Sequence, residues 1–434
     1  IGLRKLVIKI GGGDYEPLTG PLLARRLCED LGPTFVKFGQ IIASSAGLFP
    51  KRYSLEFQKV LDRVKPFPAT QLEAILSKQF GEDYEDLFET FDENPIAAAS
   101  IAQVYGATLK GGRKIVVKVQ RPGIDRLIEA DMRVMKFVAR IAEKHVKDAD
   151  LVNPVGVVED FETTLREELD FRKEAANMDE WNRIMHELGH ADVHAPSIVW
   201  DMTHRRVLTM ERFYGTRIDR TQDIAAAGVD MEERLIHGLR AWFQSVILFG
   251  FFHGDVHAGN LMLLDNLHLG FLDFGIVGRF DERERWMVTD YVVSFAGGDY
   301  EKLAQTMMEM GGVDANVDLK SLTEDLAEAY RPMLTMSFAD MKYDEMIPRI
   351  QRVASKHRMR LPKEFVLITK QMLYFDRYAK LLAPNLNVFT DPRLVFSLMG
   401  DIERARMQRE ERLASIRAAA ASQTPAMIAA PATT

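Results

Sequence analysis

The chain has 434 residues, of which 47% are hydrophobic and 27% charged, and a formal net charge of −7 at pH 7. This is the composition of an ordinary soluble globular protein, long enough for one large core or two to three smaller ones. The acidic balance argues against nucleic acid as a partner, and the single cysteine, Cys28, excludes an intramolecular disulfide framework and a cysteine-based zinc site, so a reducing compartment is expected.

The chain begins at Ile1 with Leu3-Arg4-Lys5-Leu6-Val7-Ile8-Lys9-Ile10, which mixes basic and large apolar residues. That segment reads either as the end of a packed helix or as a reversible membrane anchor. From Leu18 to about Phe88 the apolar spacing of three and four predicts helices, and this region contains Lys37-Phe38-Gly39-Gln40. At Phe91 the texture changes. Residues Ile96 to Tyr105 and Lys114 to Val119 read as two strands joined by a Gly111-Gly112 turn. Helices are predicted from about Asp125 to Val146 and from Val155 to His186, with strands at Ile198-Val199-Trp200 and Arg206 to Met210. Beyond Asp230 the pattern is helical apart from one hairpin. The apolar run Ala241 to Phe252 carries Gln244 and Ser245 and reads as a buried helix rather than a membrane span. From about Ala418 the tail is Ala, Pro, Thr and Ser, too poor in large apolar groups to order itself.

The hairpin carries the chemistry. His253-Gly254-Asp255-Val256-His257-Ala258-Gly259-Asn260 is followed by Asp273-Phe274-Gly275, with Asp255 five residues before Asn260 and eighteen before Asp273. Kinase catalytic loops and their metal-binding aspartate share this order and approximate spacing. Phosphoryl transfer needs Mg²⁺ held against phosphates by hard oxygen ligands, which Asn260 and Asp273 supply. Asp255 can orient or deprotonate an attacking hydroxyl or water. Between them, Leu261 to Leu264 and Leu267 to Leu272 read as two short strands around an Asp265-Asn266 turn, which brings the two metal ligands side by side.

Three upstream features fit a nucleotide site. Lys118 is the one charged residue inside Val116-Val117-Lys118-Val119, where an ammonium is costly unless paired with phosphate and carboxylate. Glu167, Glu168, Asp170 and Glu174 crowd one helix as candidate partners, and spacing alone does not choose among them. Val207 to Gly215 reads as a buried strand entering a polar turn, a hinge at which the backbone of Glu211 and Phe213 reads an adenine edge. Two features depart from an ordinary protein kinase. Ala97-Ala98-Ala99-Ser100 stands where a glycine-rich phosphate loop is expected, and alanine methyls restrict close backbone approach. Only Ile276 to Phe280 separate Gly275 from the helical Asp281-Glu282-Arg283-Glu284, which leaves no platform for a peptide substrate.

With these motifs the chain resembles the UbiB-like, aarF-domain-containing family of atypical kinase-like ATPases, from roughly Pro21 to Asp281. The resemblance rests on Lys37 to Gln40, the alanine-rich loop, Val117-Lys118, Glu168-Leu169-Asp170 with Glu174, His253 to Asn260, and Asp273-Phe274-Gly275. It implies that Lys37 pairs with Glu168 and Asp170, that Gln40 faces the phosphates and that Glu174 opposes Lys118. It also implies ATP or ADP as ligand, slow ATP hydrolysis, and a link to isoprenoid-quinone metabolism or lipid handling. His257 stands where ordinary kinases carry a catalytic-loop lysine. Many bacterial relatives end in membrane-spanning helices, whereas this tail is polar, so the expected location is cytoplasmic with at most peripheral membrane contact.

The expected fold is α+β, a bilobal protein-kinase-like fold with inserted helices in the small lobe. The expected divisions are an N-terminal helical extension (1–90), a small lobe (91–213), a helical large lobe (214–417) and a disordered tail (418–434). The leading functional reading is a Mg²⁺-dependent ATPase or small-molecule kinase that is not a protein kinase. A second is a regulatory pseudokinase that controls a partner. A third takes His253, Asp255 and His257 as a transition-metal site.

Overall fold

A computed structural model describes residues 19–44, 51–57, 59–60, 66–145, 153–226, 228–313, 316–336, 343–359, 382–387 and 390–422, with the single positions 368, 371 and 375. The basic-apolar segment Leu3 to Ile10 lies outside these residues. The chain divides into two compact units, one of residues up to Ala176 with Ser197–Arg212, the other of Asn177–Pro196 with residues from Phe213 onward.

The first unit opens with helices α1 (Gly20–Leu31), α2 (Pro33–Ser44), α3 (Lys51–Phe57) and α4 (Ala69–Phe80). Gly32, at φ 105°, ends α1, and Pro33 starts α2, the usual division of labour between these residues at helix ends. Arg25 joins α1 to α3 through Glu56 at 3.0 Å. The strands β1 (Phe88–Phe91), β2 (Ala97–Ala98), β3 (Ala102–Leu109) and β4 (Lys114–Gln120) follow, then α5 (Ile124–His145), α6 (Pro154–Glu168) and α7 (Phe171–Glu187). After β5 (Val193–His194), which belongs to the second unit, β6 (Val207–Glu211) completes an antiparallel sheet of order β1-β3-β4-β6 with β2 on β3. The β3–β4 turn is the expected glycine pair, Gly111 at φ 103° and Gly112 at φ 83°.

Strand β4 alternates. Ile115, Val117 and Val119 are fully buried against Leu72 and Leu76 of α4 and Tyr105 of β3, each contributing about 1.5–3 kcal/mol of transfer free energy. Strand geometry therefore sends Lys118 to the opposite face.

Three local expectations are corrected. The run from Ile96 to Tyr105 is not one strand but a tight hairpin, with Ala97 opposite Val104 and Ala98 opposite Gln103. The Ala99 N–H closes it on the Ala102 carbonyl at 2.8 Å, and Arg121 pins it through Nε to the Ala99 carbonyl at 3.0 Å. Ile198-Val199-Trp200 forms only an isolated bridge to Met210 before a 3-10 turn, Trp200–Met202, held by the Thr209 hydroxyl on the Met202 carbonyl at 2.7 Å. The helical stretch to His186 is broken at Leu169-Asp170, where the Asp170 carboxylate accepts from the Arg172 N–H at 3.1 Å and starts a new helix.

In the second unit β7 (Gly215–Arg217) and α8 (Thr221–Ala226) lead to α9 (Met231–Gln244), which passes through one π-helical turn, Ser245–Phe249, into β8 (Phe251–His253). Then come β9 (Leu261–Leu264), β10 (Leu269–Phe271) and β11 (Val277–Arg279). Strands β9 and β10 pair antiparallel as expected, Leu261 opposite Phe271, within a sheet of order β5-β10-β9-β7. Trp181 of α7, Trp242 of α9, Phe251, Phe252, Phe271 and Phe274 form the fully buried aromatic part of this unit. Helices α10 (Glu282–Ala296), α11 (Tyr300–Glu309), α12 (Leu319–Thr335), α13 (Tyr343–Lys356) and α14 (Pro392–Ser422) complete it. The last runs past Ala418 to Ser422, and the remainder of the expected tail lies outside the described residues. Among the described residues no helix is long and apolar enough to cross a membrane.

Candidate active site

Each unit carries its own set of candidate side chains. In the first, Lys118 Nζ reaches both carboxylate oxygens of Glu174, at 2.8 and 3.0 Å. Both side chains are largely buried, 13% and 6% exposed, so the charges compensate each other where water does not. Glu174 lies in the first turn of α7, where the helix dipole favours an anion. Phe171, one turn earlier, places its ring 5.2 Å from the same ammonium. Of the four acidic candidates on this stretch, Glu174 is thus the one on Lys118.

Glu168 has a different partner, Lys37 of α2, at 2.9 Å. Phe38 and Gly39 of that motif are explained by packing. The Phe38 ring lies 5.2 Å from that of Phe161 on α6, and a Cβ at Gly39 would come within 2.8 Å of the buried Phe57 ring of α3. Gln40 is half-buried on α2. Asp170, expected beside Lys37, accepts a two-pronged hydrogen bond from Arg172 at 2.9 and 2.6 Å, and that contact lowers its pKa.

At the hinge the Glu211 N–H donates to the Ser197 carbonyl at 2.9 Å, while its carboxylate accepts from the Ser197 hydroxyl at 2.8 Å. Phe213 opens the next stretch of the second unit. Its ring lies against Gly270, where a Cβ would meet it at 2.9 Å, and 5.3 Å from the His194 ring. Of the alanine hairpin, Ser100 is buried and the Ala99 N–H is engaged within the turn.

In the second unit a web of backbone bonds holds the catalytic-loop motif. Strand β8 pairs with β11, His253 opposite Val277, and the Gly254 N–H continues onto the Ile276 carbonyl at 2.9 Å. The His253 ring is fully buried; Nδ1 accepts from the Asp255 N–H at 3.0 Å and Nε2 donates to the Leu272 carbonyl at 2.8 Å. Burial lowers its pKa, so the ring is neutral with both nitrogens in use. No lone pair is left for a metal, which overturns the reading of His253 as a transition-metal ligand.

Asn260 donates through Nδ2 to the carbonyl of Asp255 at 3.0 Å, so the nitrogen end of its amide is engaged within the loop. The Leu272 N–H donates to the Asn260 carbonyl at 2.8 Å, so the hairpin sets Asn260 beside the residue preceding Asp273. Asp273 itself sits at φ 55°, a left-handed conformation uncommon outside glycine, and its carboxylate accepts from the Gly275 N–H at 3.2 Å. An amide oxygen and a carboxylate are hard donors, which suit Mg²⁺ and not a soft metal. His257 Nε2 lies 3.6 Å from the Asp255 carboxylate.

Sequence reading missed several supports of this loop. Trp242 Nε1 donates to the His253 carbonyl at 3.1 Å, Asn177 Nδ2 donates to the Phe274 carbonyl at 2.9 Å, and Arg279 bonds Asn177 at 2.8 Å. Gln371 bonds the loop on both sides of Asp255. None belongs to a motif, and no local pattern marks it.

Comparison with known proteins identifies the family of the chain. Residues 59–307 match the ABC1 atypical kinase-like domain and residues 326–387 the UbiB helical domain. An uncharacterized protein of Mycobacterium tuberculosis, Rv0647c, is 41% identical over 368 residues, 84% of this chain and 75% of that protein. An uncharacterized chloroplastic aarF domain-containing protein kinase of Arabidopsis thaliana is 37% identical, over 87% of this chain and 74% of its own. A probable protein kinase UbiB of Marinobacter nauticus is 32% identical over 84% and 67%. The solved complex of Rv3197 with erythromycin, from Mycobacterium tuberculosis, shares the fold, with a TM-score of 0.56, 23% identity and coverage of 90% of this chain and 99% of that one. The chain therefore belongs to the UbiB family of ABC1 atypical kinase-like proteins.

Proposed function

We propose that this protein binds ATP or ADP with Mg²⁺ and either hydrolyses ATP or transfers its terminal phosphoryl group to a small molecule or lipid. The observation that carries the reading is the buried, two-pronged Lys118–Glu174 pair. A buried lysine held against a helical carboxylate is an arrangement suited to meet nucleotide phosphate, a purpose that justifies the desolvation it has undergone. Glu211 offers its carbonyl to an adenine edge, with Phe213 beside it, since the Glu211 N–H is already engaged. Asp255 orients the attacking hydroxyl or water and accepts its proton as the new bond to the terminal phosphorus forms and the bond from that phosphorus to the bridging oxygen breaks, releasing ADP. Asn260 and Asp273 would hold Mg²⁺, whose charge offsets that of the phosphates when it is bound.

A peptide acceptor is disfavoured by the short segment after Gly275. Its Val277–Arg279 is locked into pairing with β8, and α10 starts at once with a capping box between Asp281 and Glu284. Kinship with UbiB proteins suggests a lipid or isoprenoid-quinone-related acceptor and peripheral membrane contact. The regulatory reading, in which nucleotide state controls a partner and turnover is incidental, is favoured by the Lys37–Glu168 tie between α2 and α6.

Steady-state phosphate release with Mg²⁺ and ATP, with and without anionic vesicles, phenolic or isoprenoid compounds and a peptide mixture, tests these readings. Stimulation by a lipid or phenolic compound supports the proposal. Phosphorylated peptide contradicts it, and turnover near zero under every condition moves the assignment to the regulatory reading.

A further inference from the structure

Gln371 lies 117 residues beyond Gly254 and 115 beyond Val256, yet its side chain is spent on these two residues. It is fully buried; Nε2 donates to the Gly254 carbonyl at 2.6 Å and Oε1 accepts from the Val256 N–H at 2.9 Å. These two peptide groups flank Asp255. A neighbouring strand would normally satisfy such groups, but β8 ends at His253 and β9 starts only at Leu261. The Asp255 N–H goes to His253 Nδ1 and its carbonyl to Asn260 Nδ2. Three side chains thus hold the backbone from residue 254 to 256. Two belong to the loop's own motif, and the third comes from the C-terminal helical region.

We propose that Gln371 is a positioning residue for Asp255, and that the C-terminal helical region is required for turnover because it delivers this amide. The inference rests on the reading of Asp255 as the group that orients or deprotonates the acceptor. A primary amide is suited to the task because it offers one donor and one acceptor in a single plane. Glutamate retains only the acceptor, and leucine neither. With both bonds made, the peptide planes flanking Asp255 are fixed and its carboxylate is held to a narrow range of directions. With both lost, the loop still has its ligands Asn260 and Asp273 but no fixed base. Misplacement of that kind lowers turnover far more than nucleotide affinity.

The test uses the full chain with Gln371→Leu and Gln371→Glu, and reads three quantities: kcat for ATP, affinity for MgADP by calorimetry, and amide hydrogen exchange at Val256. The expected result is a loss in kcat of about 10-fold or more for Gln371→Leu with MgADP affinity within about twofold, and a smaller loss for Gln371→Glu. Val256 exchange should accelerate in the leucine variant and stay slow in the glutamate variant. Retained MgADP affinity shows that the variant is folded; if Gln371→Leu does not fold, Gln371→Glu alone decides. Wild-type kcat in both variants overturns the proposal, as does a parallel loss of affinity and kcat, which marks a purely structural residue. If the wild-type chain itself shows no turnover, it is the function reading that fails, and Val256 exchange alone judges the clamp.

Discussion

The two units hold their chemical groups by different means. In the first, Lys118 and Glu174 are 56 residues apart, and what joins them is an ion pair between side chains on a strand and a helix. In the second, Asp255, Asn260 and Asp273 fall within one short loop and hairpin, and what fixes them is backbone: the β8–β11 ladder, the β9–β10 ladder and the side-chain bonds to peptide groups around Asp255. An ion pair out of water stores its value in two charges, so loss of either partner strands the other. A loop braced through its peptide groups should tolerate a change in the Asp255 side chain, because the Asp255 backbone N–H and carbonyl are held by His253 and Asn260. The first region should therefore couple chemistry to stability, and the second should separate them.

Lys118→Met breaks the first region most severely. It leaves the Glu174 carboxylate buried beside a hydrophobic side chain and should cost about 3–5 kcal/mol of stability. The double variant with Glu174→Met should recover much of that loss, because no charge is then stranded. Urea denaturation of the single and double variants gives the coupling directly, and additive effects would mean that the pair is not energetically linked.

Asp255→Asn is the complementary change in the second region. Turnover should fall roughly 10²-fold or more, the scale for loss of a positioned base, while stability and MgADP affinity stay near wild type. The retained fold is the informative half of the result. A large drop in melting temperature would show that Asp255 itself braces the loop.

Ala98→Gly tests the hairpin of the first unit. It removes a methyl from a turn closed by the Ala99 N–H and held by Arg121, and so allows closer backbone approach to phosphate. The ratio of ATP to ADP affinity should change while the Lys118–Glu174 pair remains. Identical ratios would leave the alanines a packing role.

The smallest effect concerns pH. His190, in the second unit, has its pKa lowered by burial, opposed by its bond to Gln244 and reinforced by His237 and Arg240; Asp192 lies on His237 at 2.9 Å. The unfolded chain takes up a proton near pH 6.5 that folded His190 resists, so the stability present above about pH 6.5 should decline as pH falls below it. His190→Gln should flatten the fall in melting temperature with pH, and an unchanged slope would remove His190 from that account.

The same contrast governs how much of the site was legible in the sequence. The hairpin could be read because its geometry is local: the short apolar runs Leu261 to Leu264 and Leu267 to Leu272 flank a turn at Asp265-Asn266, and so fix where Asn260 and Asp273 stand. Lys118 could be read for a similar reason, since one charge interrupts an apolar strand. Its partner could not be chosen from the residues alone, because Glu167, Glu168, Asp170 and Glu174 share a stretch whose division into two helices is set by Asp170 capping the second. Family resemblance singled out Glu174 where spacing did not. The alanine run carries no shape preference strong enough to distinguish a strand from a hairpin, so by sequence alone Ile96 to Tyr105 reads as a strand. Gln371 had no local signal at all, since a buried amide in a helical stretch reveals its role only through the peptide groups it meets.

The direct test of a Mg²⁺-dependent nucleotide site is calorimetric titration of ATP into the wild type and Asp273→Asn, each with and without Mg²⁺. Wild type should bind ATP more tightly with the cation, and Asp273→Asn should lose most of that gain while its Mg²⁺-free affinity stays the same or rises, since a negative charge near the phosphates is gone. An equal gain from Mg²⁺ in both proteins would contradict the assignment of Asp273 as a metal ligand, and with it the proposed site.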